Sequence, residues 1–135
     1  ELNDEFGHHY GDLLLTETAK RLRDSVREVD TIARYGGDEF MVIMSELGAD
    51  RALAFEQAKL LAEKLLTALA IPYSFPRQVG DPNSALMEYL ATASIGCKLF
   101  FDERESLQAL IKQSDQSMYR AKKAGGNRVD MADQA

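Results

Sequence analysis

Cysteine is almost absent from this chain: Cys97 is the only one among 135 residues. A lone cysteine cannot close an internal disulfide, which excludes a disulfide-stapled scaffold and fits a reducing cytoplasm. It sits in an apolar run, where it reads as a small core residue rather than a nucleophile. No apolar run approaches the length of a membrane span, and the start carries no secretory signal. Membrane contact by this domain is therefore not expected. Basic residues are also scarce, 16 Lys and Arg against 22 Asp and Glu, for a net charge of −6. A duplex-DNA binder needs a basic face, so nucleic acid is not an expected partner. A small phosphorylated ligand needs only a few local cations or a bound metal. Internal repeats are absent too.

What is present is one domain's worth of chain, 45% hydrophobic and 28% charged. From Asp12 a helix is predicted, with Leu15, Ala19, Leu22, Val26 and Val29 in one stripe. Glu17, Lys20, Arg21, Arg23, Asp24 and Arg27 form its outer face. Asp50 is a candidate N-cap for a second helix running to Leu69, buried through Ala58, Leu61, Leu65 and Ala68. Residues 71–75 read as a strand, residues 76–84 as a surface loop, and residues 89–101 as a long strand in which Gly96 marks a bulge or a close backbone approach. A third helix is predicted from about Ser106 to Ala124, with Leu107, Leu110, Ile111, Met118 and Ala121 inward and Gly125-Gly126 as its C-cap. Residues 127–129 suit an edge strand, and residues 130–135 a frayed tail or linker. Strands alternating with helices of this length indicate an α/β or α+β sandwich, helices packed on a sheet.

The densest signal is Gly36-Gly37-Asp38-Glu39-Phe40, between the apolar runs 31–35 and 40–44. Two β-prone runs joined by Gly-Gly read as a hairpin, since a type I′ turn needs positive φ at both central residues. A plain hairpin does not need two adjacent carboxylates just past its turn. Their repulsion calls for a cation or a proton, which points to a metal or nucleotide-phosphate site. A solvated acidic turn is the competing reading.

The surrounding residues carry a resemblance. Asn3-Asp4, Gly7-His8, Gly11-Asp12, residues 33–40, Ala93-Ser94-Ile95-Gly96, Asp115 with residues 118–122, and Asn127-Arg128-Val129 fall in the order of the GGDEF domains. The chain thus resembles the diguanylate cyclases over residues 1–129. The resemblance implies a central, mostly antiparallel sheet flanked by helices, similar to the palm of nucleotide cyclases and polymerases. It implies condensation of two GTP into cyclic di-GMP with release of pyrophosphate, a homodimer, and Mg²⁺ or Mn²⁺. It also implies attached sensory domains and room for a phosphodiesterase domain.

By that resemblance Asp38 is a metal ligand and Glu39 a metal ligand or the base for the ribose 3′-hydroxyl. Carboxylates suit the role, because Mg²⁺ is hard and prefers oxygen. Gly36 and Gly37 let the backbone approach the phosphates, where a Cβ would obstruct. Asn3 and Asp12 match the guanine-reading pair, with a helix N-cap as the alternative for Asp12. His8 matches a substrate-side residue, or else packs beneath the helix as a loop histidine. Lys122 matches a phosphate-contacting lysine, its alternative being a solvated cation at a helix C-terminus. Arg27 and Asp30 match an RxxD inhibitory site for cyclic di-GMP, against an i,i+3 helical ion pair.

Two departures stand out. Family members carry a strand immediately before Asn3 that holds another metal-binding Asp. This sequence opens at Glu1 without it, and reads as a piece of something longer. The family's Arg or Lys at position 126 is glycine here, which either weakens GTP binding or shifts phosphate contact to Arg128 or Lys123. An active cyclase and a catalytically degenerate module that binds cyclic di-GMP are therefore both open.

Overall fold

Local signals place the helix ends in the computed structural model, which describes residues 8–36, 39–44, 47–48, 50–76, 83, 85–101 and 105–133. The Asp50 carboxylate accepts from the Leu53 N–H at 3.1 Å and opens α2 (Arg51–Ala70). Ser106 Oγ does the same for the Ala109 N–H and opens α3 (Leu107–Lys123). After α3 the Gly126 N–H donates to Ala121 O at 2.9 Å and the Gly125 N–H to Lys122 O at 3.1 Å. With φ of +122° and +72° at the two glycines, this is a Schellman cap, reached without a Cβ penalty.

The helix before the signature, α1 (His8–Ser25), begins a turn earlier than Asp12. Tyr10 explains the extension. Its ring is buried edge-on to Phe75 at 6.3 Å, and its hydroxyl donates to Pro76 O at 2.7 Å. That tertiary contact outweighs the cost of about 1 kcal/mol for a helical Gly11. Arg21 is another departure: its side chain is mostly buried rather than solvated. The guanidinium donates to Ala68 O, Ile71 O and Pro72 O and lies 3.7 Å over the Tyr73 ring. It thereby satisfies the orphan carbonyls at the end of α2, where the helix dipole favours a cation.

The strands are β1 (Thr31–Gly36), β2 (Glu39–Ile43), β3 (Tyr73–Pro76), β4 (Leu86–Tyr89), β5 (Ser94–Cys97) and β6 (Arg128–Met131). The run expected as one long strand from Tyr89 is thus split, β4 ending at Tyr89 and β5 opening at Ser94. Among the described residues they form three two-stranded ladders, β1–β2 and β3–β4 antiparallel and β5–β6 parallel. The arrangement agrees with an α/β fold of mostly antiparallel pairs flanked by helices. The residues expected as a frayed tail are tied down: Asp130 and Met131 belong to β6, and the Ala132 N–H donates to Cys97 O. Asp133 then accepts from Lys98 Nζ and the Leu99 N–H, each at 2.7 Å.

Two apolar clusters hold the layers together. Tyr10, Tyr73, Phe75 and Met87 join the start of α1 to the β3–β4 ladder. Leu22, Leu65 and Leu69 join α1 to α2, and Ile32, Phe40, Val42 and Ile95 pack against them. Ala54, Ala58 and Ala62 extend the buried stripe of α2. The other face of β5 meets α3, whose buried positions are Ser117 and Ala121, while Leu107 is exposed. Ser117 Oγ donates to Asp130, and the Arg120 guanidinium pairs with the same carboxylate, so β6 anchors α3 through polar contacts.

Candidate functional site: a groove beside the acidic hairpin

The β1–β2 register changes within the signature. Arg34 pairs with Phe40, but Gly36 pairs with Glu39, so Tyr35 is the extra residue of a bulge. The two residues left between the paired positions are Gly37 and Asp38, rather than Gly36 and Gly37. Gly36 lies in β1, outside the left-handed region, with open space where a Cβ would be. Glu39 opens β2, directly after that two-residue connection. Gly37, Asp38 and Asn3 lie outside the described residues, as does the His8 side chain; His8 is the first residue of α1.

Alternation sets the direction of Glu39. Phe40 and Val42 pack on Leu22, Leu65 and Leu69, so Glu39 points to the opposite face of β2. In β5, Ile95 packs on the same cluster, which turns Ser94 and Gly96 toward α3. Gly96 is there because nothing larger fits: a Cβ would lie 2.2 Å from the Met118 N and from the Ser114 O. The β5–β6 register is regular across Gly96, so of its two expected readings close approach holds and the bulge does not. Glu39, Ser94, Asp115 and Lys122 all line one groove of about 1260 Å³ whose walls include β2 and β5; it reaches both faces, since Phe40, Val42 and Ile95 line it too. Glu39 is half-buried and Lys122 exposed. Among the described residues neither enters a salt bridge. Asp115 carried part of the family resemblance without a role of its own; its place seven residues before Lys122, two helical turns, puts both on one side of α3.

The farther wall of the groove is apolar. Cys97 lies there, its thiol pushed up to about 11 first by burial and then by the charge of Asp133. It is an inert core thiol.

Asp12 is exposed on the second turn of α1, which removes the N-cap alternative for it. Arg27 and Asp30 lie past the end of α1, in the turn leading to β1, not in a helix. The Arg27 N–H donates to Asp30 Oδ2 at 2.9 Å, and Nη2 donates to Oδ1 at 2.9 Å. Asp30's side chain is fully buried, whereas Arg27's is 45% exposed. The two residues thus clasp each other, and the arginine presents the accessible surface.

Comparison with known proteins bears on the whole of this arrangement. Residues 1–128 match the family model described as diguanylate cyclase, GGDEF domain. The chain is 40% identical over 93% of its length to the bifunctional diguanylate cyclase/cyclic di-GMP phosphodiesterase MucR of Pseudomonas aeruginosa, of which it covers 16%. It is 37% identical over 97% of its length to diguanylate cyclase DgcP of the same organism, covering 17%. The structure of the GGDEF domain of YfiN, also called TpbB, from Pseudomonas aeruginosa superimposes with a TM-score of 0.79 at 27% identity, over 99% of this chain and 75% of that one. The chain spans about a sixth of the length of these two curated relatives. It belongs to the GGDEF domain family of diguanylate cyclases.

Proposed function

We propose that this domain condenses two GTP molecules into cyclic di-GMP. The observation that carries the reading is the shared groove: Glu39 at the bulged end of the hairpin and Lys122 at the end of α3 face the same open space. In each half-reaction a ribose 3′-oxygen attacks an α-phosphorus, the bond to pyrophosphate breaks, and the hydroxyl proton leaves to a base. Two such steps close the ring and release two pyrophosphates. Lys122 would offset phosphate charge, and Glu39 would take the proton or bind metal. Asp12, with Asn3, would read guanine, and His8 lies on the same helix. A product of two identical halves suits a two-fold homodimer, each copy holding one GTP.

The donor chemistry fits a divalent metal. The half-buried Glu39 carboxylate supplies the hard oxygen ligand that Mg²⁺ or Mn²⁺ takes, and Asp38 would supply a second. Among the described residues no group of three or more His, Cys, Asp or Glu side chains converges. When bound, the metal would neutralise phosphate charge and align the attacking oxygen. A cytoplasmic setting, and attached sensory or phosphodiesterase domains, complete this reading.

Regulation by product is proposed at Arg27 and Asp30. The second reading, a degenerate module that only binds cyclic di-GMP, would use the same Arg27, whose side chain is 45% exposed. Mg²⁺-dependent GTP turnover, with product identified by mass and Glu39→Ala as control, separates the two. Cyclic di-GMP from the unmutated protein alone supports the cyclase. No product, with cyclic di-GMP binding that is lost in Arg27→Ala, supports the module.

A further inference from the structure

Lys122 alone is a weak match for a triphosphate beside two signature carboxylates, in a chain with net charge −6. The structure offers two neighbouring cations and treats them differently. Lys123 turns back along α3, its Nζ 5.4 Å from the centre of the Tyr119 ring. Arg128, the first residue of β6, folds the other way. Its Nε donates to Gly126 O at 3.1 Å, and its Nη2 lies 3.1 Å from where a Cβ of Gly125 would be. The guanidinium thus lies against the space that Gly125 leaves free, tied to the carbonyl of Gly126. Gly126 in turn borders the groove: its missing Cβ would sit 3.5 Å from Ser94 Oγ, and Ser94 lines the groove with Glu39 and Lys122. Arg128 is also paired to Ser94 in the β5–β6 ladder.

We propose that Arg128 is a second phosphate-binding residue of the nucleotide site, held over the Gly125-Gly126 cap and paired with Ser94, which lines the groove that Lys122 also lines. The inference rests on the GTP reading of the groove. One nitrogen of the guanidinium is spent on Gly126 O, which orients the side chain, while the residue remains exposed to solvent. The remaining N–H groups can fork onto phosphate oxygens, a geometry lysine cannot reproduce. Gly125 serves this arrangement because at φ +122° a side chain is strained, and because its Cβ would crowd the Arg128 guanidinium at 3.1 Å.

The test is binding of 3′-deoxy-GTP, which lacks the attacking hydroxyl, with Mg²⁺, compared with guanosine, which has no phosphate. Arg128→Ala is expected to weaken 3′-deoxy-GTP about tenfold and leave guanosine unchanged. Arg128→Lys should recover part of the loss, and Lys123→Ala should have no effect. Unchanged 3′-deoxy-GTP affinity in Arg128→Ala, or an equal loss for guanosine, overturns the proposal. Lys122→Ala identifies which layer fails. If it weakens the triphosphate and Arg128→Ala does not, only the Arg128 assignment falls. If neither variant matters, or the unmutated protein does not bind 3′-deoxy-GTP, the GTP reading falls and the proposal with it. Arg128 is exposed and outside both apolar clusters, so the variant is expected to fold, checked by its thermal melt.

Discussion

The groove beside the hairpin and the Arg27–Asp30 clasp are opposite solutions to the same electrostatic problem. Each places charge near the β1–β2 hairpin. In the clasp, a fully buried carboxylate is neutralised from within by Arg27, three residues away. In the groove, Glu39 and Lys122 come from elements far apart in the chain and, among the described residues, have no ion-pair partner. A self-satisfied pair stabilises the turn but must be opened before Asp30 can meet a ligand. An unsatisfied pair contributes little to stability and is ready to bind. Under the proposed function, the contrast places stability in one region and chemistry in the other.

The sharpest way to break that division is Glu39→Ala. Turnover should drop about a thousandfold or more, equivalent to several kcal/mol of transition-state stabilisation, while the thermal midpoint stays nearly unchanged. Initial rates and a melt on the same sample check both; retained turnover would remove Glu39 from the chemistry. Asp30→Ala should behave conversely. Loss of the buried carboxylate takes the partner from the Arg27 N–H and guanidinium, for about 3 kcal/mol lower stability in urea unfolding, with GTP turnover per folded molecule preserved. If instead turnover falls and stability holds, the two regions have been assigned the wrong way round.

Cys97 probes the buried wall of the groove. Its folded pKa is raised from 9.0 to about 11, so the folded state keeps its proton while the unfolded chain ionises. The contribution is fully present below pH 9 and is lost as pH rises toward 11, on the order of 2–3 kcal/mol. Cys97→Ala should flatten that part of the stability–pH curve. A curve that keeps its slope in the variant would show that burial at this wall is not the cause. Arg27→Ala should cost the fold less than Asp30→Ala, about 1–2 kcal/mol, because Asp30 keeps its bond from the residue 27 N–H. Cyclic di-GMP affinity measured by calorimetry should nonetheless fall; unchanged affinity would remove the inhibitory-site reading.

Much of this was readable in advance, for reasons of range. Asp50, Ser106 and Gly125-Gly126 act on N–H and C=O groups a few residues away, so their caps follow from composition at fixed offsets. The apolar spacing along α2 likewise marked Ala58 and Leu65. What escaped depended on distant partners. Nothing near Arg21 announces that it will cap a helix ending near residue 71. Ser117 breaks the apolar pattern of α3, yet it is buried because Asp130 accepts its proton from another strand. The hairpin was evident from Gly36-Gly37, but the bulge at Tyr35 shifted the connection by one residue. One residue is enough to decide which face a strand side chain occupies.

By itself the sequence determined the family signature, the three helices, the caps of α2 and α3 at Asp50, Ser106 and Gly125-Gly126, and the chemical kinds of side chain available at the hairpin. These depend on spacing, on backbone φ, and on hydrogen bonds within a turn or two. Only the tertiary structure decided that Glu39 and Lys122 share a groove, that Arg27 and Asp30 close on each other, and that Arg128 rather than Lys123 lies over the glycine cap. Those outcomes follow from which face of each element is buried against distant partners, a balance of packing and desolvation that no short stretch of sequence contains.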